Sequence, residues 1–163
     1  MKFHLDAASR PPTLSITGDL NEEANFSECP LPKSGMLAID LAGVSVCNSI
    51  GIRTWVEWMQ KLSHLSPIFF RQMMPNLINQ VNILERFLPS SAVIESFHVP
   101  YFCENCETTF TYVAQRGRDF QEPTAERQNH GQKNIPTEQK CPKCGEMAGA
   151  DIVEKKYFKF LKL

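Results

Sequence analysis

Cys103-Glu-Asn-Cys106 and Cys141-Pro-Lys-Cys144 are two Cys-x-x-Cys turns, and together they take four of the chain's six cysteines. Each such turn points two sulfurs at one centre. Two of them complete the tetrahedron of thiolates that Zn²⁺ adopts in closed structural sites. Gly145, directly after the second pair, has no Cβ and lets backbone N–H groups bend toward the sulfurs. The spacing therefore predicts a zinc site at Cys103, Cys106, Cys141 and Cys144. Disulfide or redox chemistry uses the same spacing, but redox pairs normally open a helix after a strand in a thioredoxin-like unit, a pattern absent around these cysteines. Catalytic zinc fits less well, because four thiolates leave no open position for water or substrate, and His98 or His130 would have to replace a ligand. Cys29 and Cys47 have no partner spacing and read as small buried or half-buried thiols.

The elements that position these cysteines follow from the flanking text. Thr108 to Val113 (TTFTYV) reads as a strand leaving the first turn, and Asp151 to Leu161 (DIVEKKYFKFL) as returning strands after the second. That is the hairpin logic of a zinc ribbon. The spacer between the turns, Glu107 to Lys140, spans 34 residues, against roughly 15–20 in compact ribbons. Within it, residues 115–140 are nearly all polar and carry two prolines and two glycines. Such a segment buries too little apolar surface to fold alone and is expected to be a flexible loop.

With 163 residues the chain has room for one ordinary domain and a small appendage, and its 42% hydrophobic content supports a core. No apolar stretch approaches the roughly 20 residues that span a bilayer, and no export signal follows Met1-Lys2, so the expected address is cytoplasmic with reduced cysteines. Residues 1–100 hold 7 Lys/Arg against 9 Asp/Glu, and residues 101–163 hold 10 against 9. Four thiolates around a dication add further negative charge to the second part. That balance argues against a nucleic-acid partner. The one basic cluster, Lys155, Lys156, Lys159 and Lys162, reads as the solvated face of a terminal strand.

The first hundred residues alternate between strand and helix patterns. Thr13 to Leu20 reads as a half-buried strand, and Met36 to Val44 (MLAIDLAGV) as a central strand covered on both faces. Ile50 to Ser63 places Ile52, Trp55, Val56, Met59 and Leu62 on one helical face, with Trp58 at its flank. The order then repeats: Pro67 to Phe70 as a strand, Pro75 to Leu88 as a helix stopped by Pro89, and Ser91 to Phe102 as a strand running into Cys103. Strand and helix in alternation predict an α/β fold whose mixed sheet is at least partly parallel, with helices packed on it.

Leu37-Ala-Ile-Asp-Leu-Ala-Gly-Val44 followed by Asn48-Ser49-Ile50-Gly51-Ile52 resembles the signature of STAS domains, whose best-known members are anti-sigma factor antagonists. The resemblance covers residues 1–102 in element order, with the strand and loop matching as a motif, and leaves 103–163 as a zinc-ribbon-like extension. It implies that Ser49 stands at the phosphoacceptor position, Gly51 at the helix-entry glycine and Asp40 at the acidic residue closing the strand. Asn48 stands where the family usually has Asp. Physically, a Ser at a helix N-terminus sits beside unpaired N–H groups, so either Ser49 or Asn48 serves as the N-cap, and a phosphate is tolerated there.

The resemblance implies a non-enzymatic regulatory module that binds a protein partner through the Asn48–Ile52 loop and the following helix. The partner would be an anti-sigma factor or another kinase-like regulator, released when Ser49 is phosphorylated. The alternative is an accessory subunit of a transport complex, not phosphorylated, in which Trp58 matters for contact. No Ser/His/Asp set or phosphate-cradling glycine loop points to catalysis.

Overall fold

Five strands lie side by side in the order in which the chain makes them. They are β1 (Lys2–Asp6), β2 (Thr13–Thr17), β3 (Gly35–Gly43), β4 (Leu65–Arg71) and β5 (Ala92–Ile94). β1 is antiparallel to β2, and β2 to β5 are parallel. The computed structural model describes residues 1–123 and 131–162, and the chain divides into two units, Met1–Glu95 and Ser96–Leu163. It is a mixed α/β protein.

β3 earns its central place from its apolar text: Leu37, Ala38, Ile39 and Leu41 are all fully buried, as a parallel strand covered on both faces requires. The crossovers are α1 (Ser49–Lys61) after β3 and α2 (Pro75–Ile83) after β4. Because β3 and β4 run parallel, both helices start at the same end of the sheet. α1 delivers Trp55, Trp58 and Met59 to the core. Trp55 packs on Phe70 of β4 and on Phe87, and its indole N–H donates to the Phe87 carbonyl at 2.9 Å.

Two expectations for this unit need correction, and one strand has no counterpart in the sequence reading. β1 was not foreseen, since Lys2, His4 and Asp6 mask the two apolar residues that alternate with them. The helix from Pro75 ends at Ile83 rather than Leu88. Arg86 takes a left-handed backbone (φ 67°), and this reversal turns Phe87 back under Trp55. The strand expected across Ser91–Phe102 is two strands in two different sheets: the Glu95 N–H bonds the Phe70 carbonyl at 2.8 Å and its carboxylate pairs with Arg71, which closes the first sheet there.

The second unit is an antiparallel sheet in the order β10 (Glu138–Lys140), β11 (Met147–Ala150), β6 (Ser96–Cys103), β7 (Thr108–Gln115). β6 alternates cleanly, burying Phe97, Val99, Tyr101 and Cys103 on one face. Phe97 meets Phe120, Phe158 and Phe160 at centroid distances of 4.9, 6.2 and 5.4 Å.

Residues 115–140 were expected to form a flexible loop. Instead β8 (Phe120–Gln121) pairs with β9 (Gln132–Lys133) and β10 joins the main sheet. Residues 124–130, His130 among them, lie outside the described residues. What the polar composition concealed is Asp119, only 5% exposed. Its carboxylate accepts the Tyr112 hydroxyl and the Gln115 N–H, each at 2.8 Å, and pairs with Arg118. Burial pushes its pKa up, but these donors outweigh burial and hold it below the usual carboxylate value.

Asp151 to Leu161 likewise forms no strand. It is a short helix, α3 (Glu154–Tyr157), and a 3-10 turn (Lys159–Leu161). Tyr157, Phe158 and Leu161 are the buried set, a helical spacing. The four C-terminal lysines are exposed on these helical turns, not on a strand.

Candidate functional site

Hairpin geometry brings the four cysteines together. Cys103 ends β6 opposite Thr108 of β7, so the first Cys-x-x-Cys is the turn of that hairpin. Lys140 pairs with Met147, so the second is the turn between β10 and β11. β11 runs antiparallel to β6, with Gly149 opposite Phe102, and this puts both turns at the same end of the sheet. All four sulfurs lie within 4.8 Å of one another, with Cys103–Cys144 and Cys106–Cys141 both at 3.5 Å. A tetrahedron of about 2.3 Å Zn–S bonds has edges of about 3.8 Å. The set is therefore sized for a four-coordinate metal ion. The sulfurs are too far apart for disulfides, which need about 2.05 Å, and all six cysteines are free thiols.

Each turn closes on a left-handed residue, Gly145 (φ 81°) after Cys144 and Glu107 (φ 52°) after Cys106. The Gly145 N–H bonds the Cys141 carbonyl at 2.9 Å, and the Cys141 N–H bonds that of Glu146 at 2.8 Å. A Cβ at Gly145 would meet nothing within 4 Å, so glycine serves the backbone angle there and not space. The thiols differ in environment. Burial pushes the Cys103 pKa up, whereas the Glu146 N–H and the Asn105 side chain hold that of Cys144 down. A bound cation favours the thiolate at every position. His98 is not part of this group; its Nδ1 lies 2.8 Å from the Thr111 hydroxyl.

The second group of interest begins α1. Asn48, not Ser49, is the N-cap: its Oδ1 accepts the N–H groups of Ile50 (3.1 Å) and Gly51 (3.0 Å). Its amide also donates to Glu22 Oε2 at 2.8 Å, a bond that an Asp at this position cannot make. Leu20 and Asn48 exchange further backbone support, since the Asn48 N–H bonds the Leu20 carbonyl and the Leu20 N–H bonds that of Val46, both at 2.9 Å. From the start of α2, the Asn76 amide donates to the Ser45 carbonyl (2.9 Å) and approaches Cys47 Sγ (3.6 Å). Ser49 is exposed on this pinned loop, and its hydroxyl makes no hydrogen bond among the described residues.

The other residues named from the sequence separate. The Asp40 carboxylate accepts the Ala42 N–H at 2.9 Å and shapes the end of β3 without bonding Ser49. Trp58 is only 4% exposed and stacks on Phe26 at 4.3 Å, so it belongs to the core and not to a contact surface. Cys29 and Cys47 are half-buried. Glu22 and Asn76 were missed. Both act across more than 25 residues of sequence, and no local pattern announces such bonds.

Gly51 has a steric reason to be glycine. A Cβ there would lie 2.0 Å from both the carbonyl carbon and oxygen of Leu20 and 2.4 Å from the Asn21 nitrogen. All are backbone atoms with no side chain to swing away. Gly51→Ala is expected to cost about 3 kcal/mol, the upper range for overpacking, seen as a lower midpoint with unchanged slope in urea unfolding.

Comparison with family models, with curated proteins and with solved structures finds no match to this chain. No helix among the described residues is long and apolar enough to cross a membrane.

Proposed function

We propose that the protein is a non-enzymatic regulatory module of the STAS kind, which docks a protein partner on the Asn48–Ile52 loop and the first turns of α1 and carries a zinc-ribbon-like second unit. The observation that carries this reading is the loop itself: Asn48 satisfies the helix end, so the Ser49 hydroxyl is left exposed on a backbone braced by Leu20, Glu22 and Asn76. A hydroxyl not needed for capping is available for modification. Phosphate there would put about −1.5 to −2 of strongly hydrated charge next to the exposed Ile50, on the surface a partner has to cover, and the cost of desolvating it disfavours docking. The strand order with one antiparallel edge, and helices after β3 and β4, agree with the STAS reading of the first unit.

The ion in the cysteine cluster is zinc in a structural role, since four thiolates fill its coordination sphere. The partner is an anti-sigma factor or another kinase-like regulator. The transport-subunit alternative drew on Trp58 as a contact, and the burial of Trp58 removes that support.

Ser49→Asp is expected to weaken partner capture by about tenfold or more, equal to about 1.4 kcal/mol, while Ser49→Ala leaves it near wild type. The fold should be unaffected in both, as circular dichroism would record. Affinity purification from the native host, quantified for the three versions, is the measurement. Equal recovery of the same proteins by all three rules out a switch at Ser49.

A further inference from the structure

On the reading that the Asn48–Ile52 loop docks a partner, we propose that the partner presents a cationic, amphipathic segment, whose apolar side covers Val46 and Ile50 and whose basic side faces Asp19, Glu22 and Glu23.

Val46 and Ile50 are 52% and 56% exposed. They are not on a fraying end. The Val46 carbonyl is held by the Leu20 N–H, and the Ile50 N–H is held by the Asn48 side chain. These two apolar side chains, four residues apart and held by the bonds that brace the start of α1, offer a partner a small preformed apolar contact. The site lies at the carboxyl end of β3 and β4, where α1 and α2 begin, the end at which parallel α/β sheets receive ligands.

The charge around this apolar pair is mostly negative, three carboxylates against Arg53. Asp19, Glu22 and Glu23 are all exposed, and hydrogen bonds tie two of them to the loop: Ser45 Oγ to Asp19 at 3.5 Å, and the Asn48 amide to Glu22 at 2.8 Å. The Glu22 carboxyl is held below its usual range by its own backbone N–H and by Asn48, which keeps it ionised. Arg53 is the one cation in the first two turns of α1. The positive end of α1 does not reverse the sign. Its first-turn donors are occupied by Asn48 Oδ1, and a helix end counts for only about half a charge against three carboxylates. Such a surface repels phosphate backbones and acidic proteins and attracts a basic one.

The test uses two synthetic helical peptides of equal length and leucine content, one Leu/Lys and one Leu/Glu. Their binding to the full chain is followed by fluorescence anisotropy at low salt and in about 0.5 M salt, which screens exposed charge. The Leu/Lys peptide is expected to bind. Asp19→Lys with Glu23→Lys, or Ile50→Ser alone, should each weaken it by about tenfold or more, as should the added salt. Glu85→Lys, beyond the far end of α2, should leave binding unchanged. Glu22 is kept because it braces Asn48. Equal binding of the Leu/Glu peptide overturns the proposal, as does indifference of the Leu/Lys peptide to the paired charge reversal. If Ile50→Ser abolishes binding of both peptides while the charge reversals do nothing, the cationic partner is wrong and the docking loop stands. If Ile50→Ser also has no effect, both fall.

Discussion

Treatment with a chelator is expected to unfold the end of the second sheet that Cys103, Cys106, Cys141 and Cys144 close, while the first unit keeps its structure. The cluster joins two hairpin turns, and the ladder that otherwise holds them together is short: β11 meets β6 through Gly149–Phe102 and Ala150–Tyr101, followed by the Asp151 N–H on the Pro100 carbonyl at 2.9 Å. Structural zinc contributes about 10–16 kcal/mol of apparent binding free energy at neutral pH, comparable with the whole stability of a small domain, about 5–15 kcal/mol. Elemental analysis of the purified chain should give one zinc per molecule. Cys103→Ser, at a fully buried ligand, should lose it altogether, and the exposed Cys144 should tolerate the same change better. Acid should act in the same direction as a chelator, because protons compete with the metal for thiolate. Full retention of second-unit amide protection after complete chelation would show that the sulfurs cluster without a structural ion.

Trp58→Ala should cost about 3–5 kcal/mol, the range for deleting a large aromatic from a core. Its ring stacks flat on Phe26 at 4.3 Å and leans on Trp55 at 5.4 Å, and Phe26 in turn touches Phe3 of β1 at 5.7 Å. Truncation therefore opens a cavity beneath the long connection between β2 and β3. Guanidinium unfolding of the variant measures the loss. A change of less than about 1 kcal/mol, the size expected at an exposed site, combined with loss of partner capture, would return Trp58 to the surface role first assigned to it.

The parts legible in the sequence are those where one signal dominates. The apolar run of β3 and the paired cysteine turns each say one thing, and each is found where expected; the helix α1 is found too, but its buried face is turned toward Trp58, leaving Ile52 and Val56 half-buried. Illegible parts depend on partners distant in the chain. Tyr157-Phe-Lys-Phe160 has the aromatic content of a strand, yet the residues buried are Tyr157, Phe158 and Leu161, the spacing of a helical turn. Glu107 matches Gly145 in position, but a non-glycine residue in left-handed backbone leaves no mark in the text. Asp119 reads as one more charge in a polar stretch, and its burial is evident only once Tyr112, Gln115 and Arg118 surround it. Between the two candidate N-caps, spacing could not choose; the Ile50 and Gly51 N–H groups bonding Asn48 Oδ1 do.

The order of strands sets how each unit can assemble as the chain leaves the ribosome. In the first sheet spatial order equals chain order, so every new strand arrives at an open edge and none must be inserted between neighbours already paired. The second sheet works the other way: β6 is made early and waits with one edge unpaired until β11 is synthesised, and no ion can be fully ligated before Cys144 emerges. Nascent second units therefore pass through a stage with a bare strand edge and two unclaimed thiols, the stage at which the growing polypeptide is most open to misassociation.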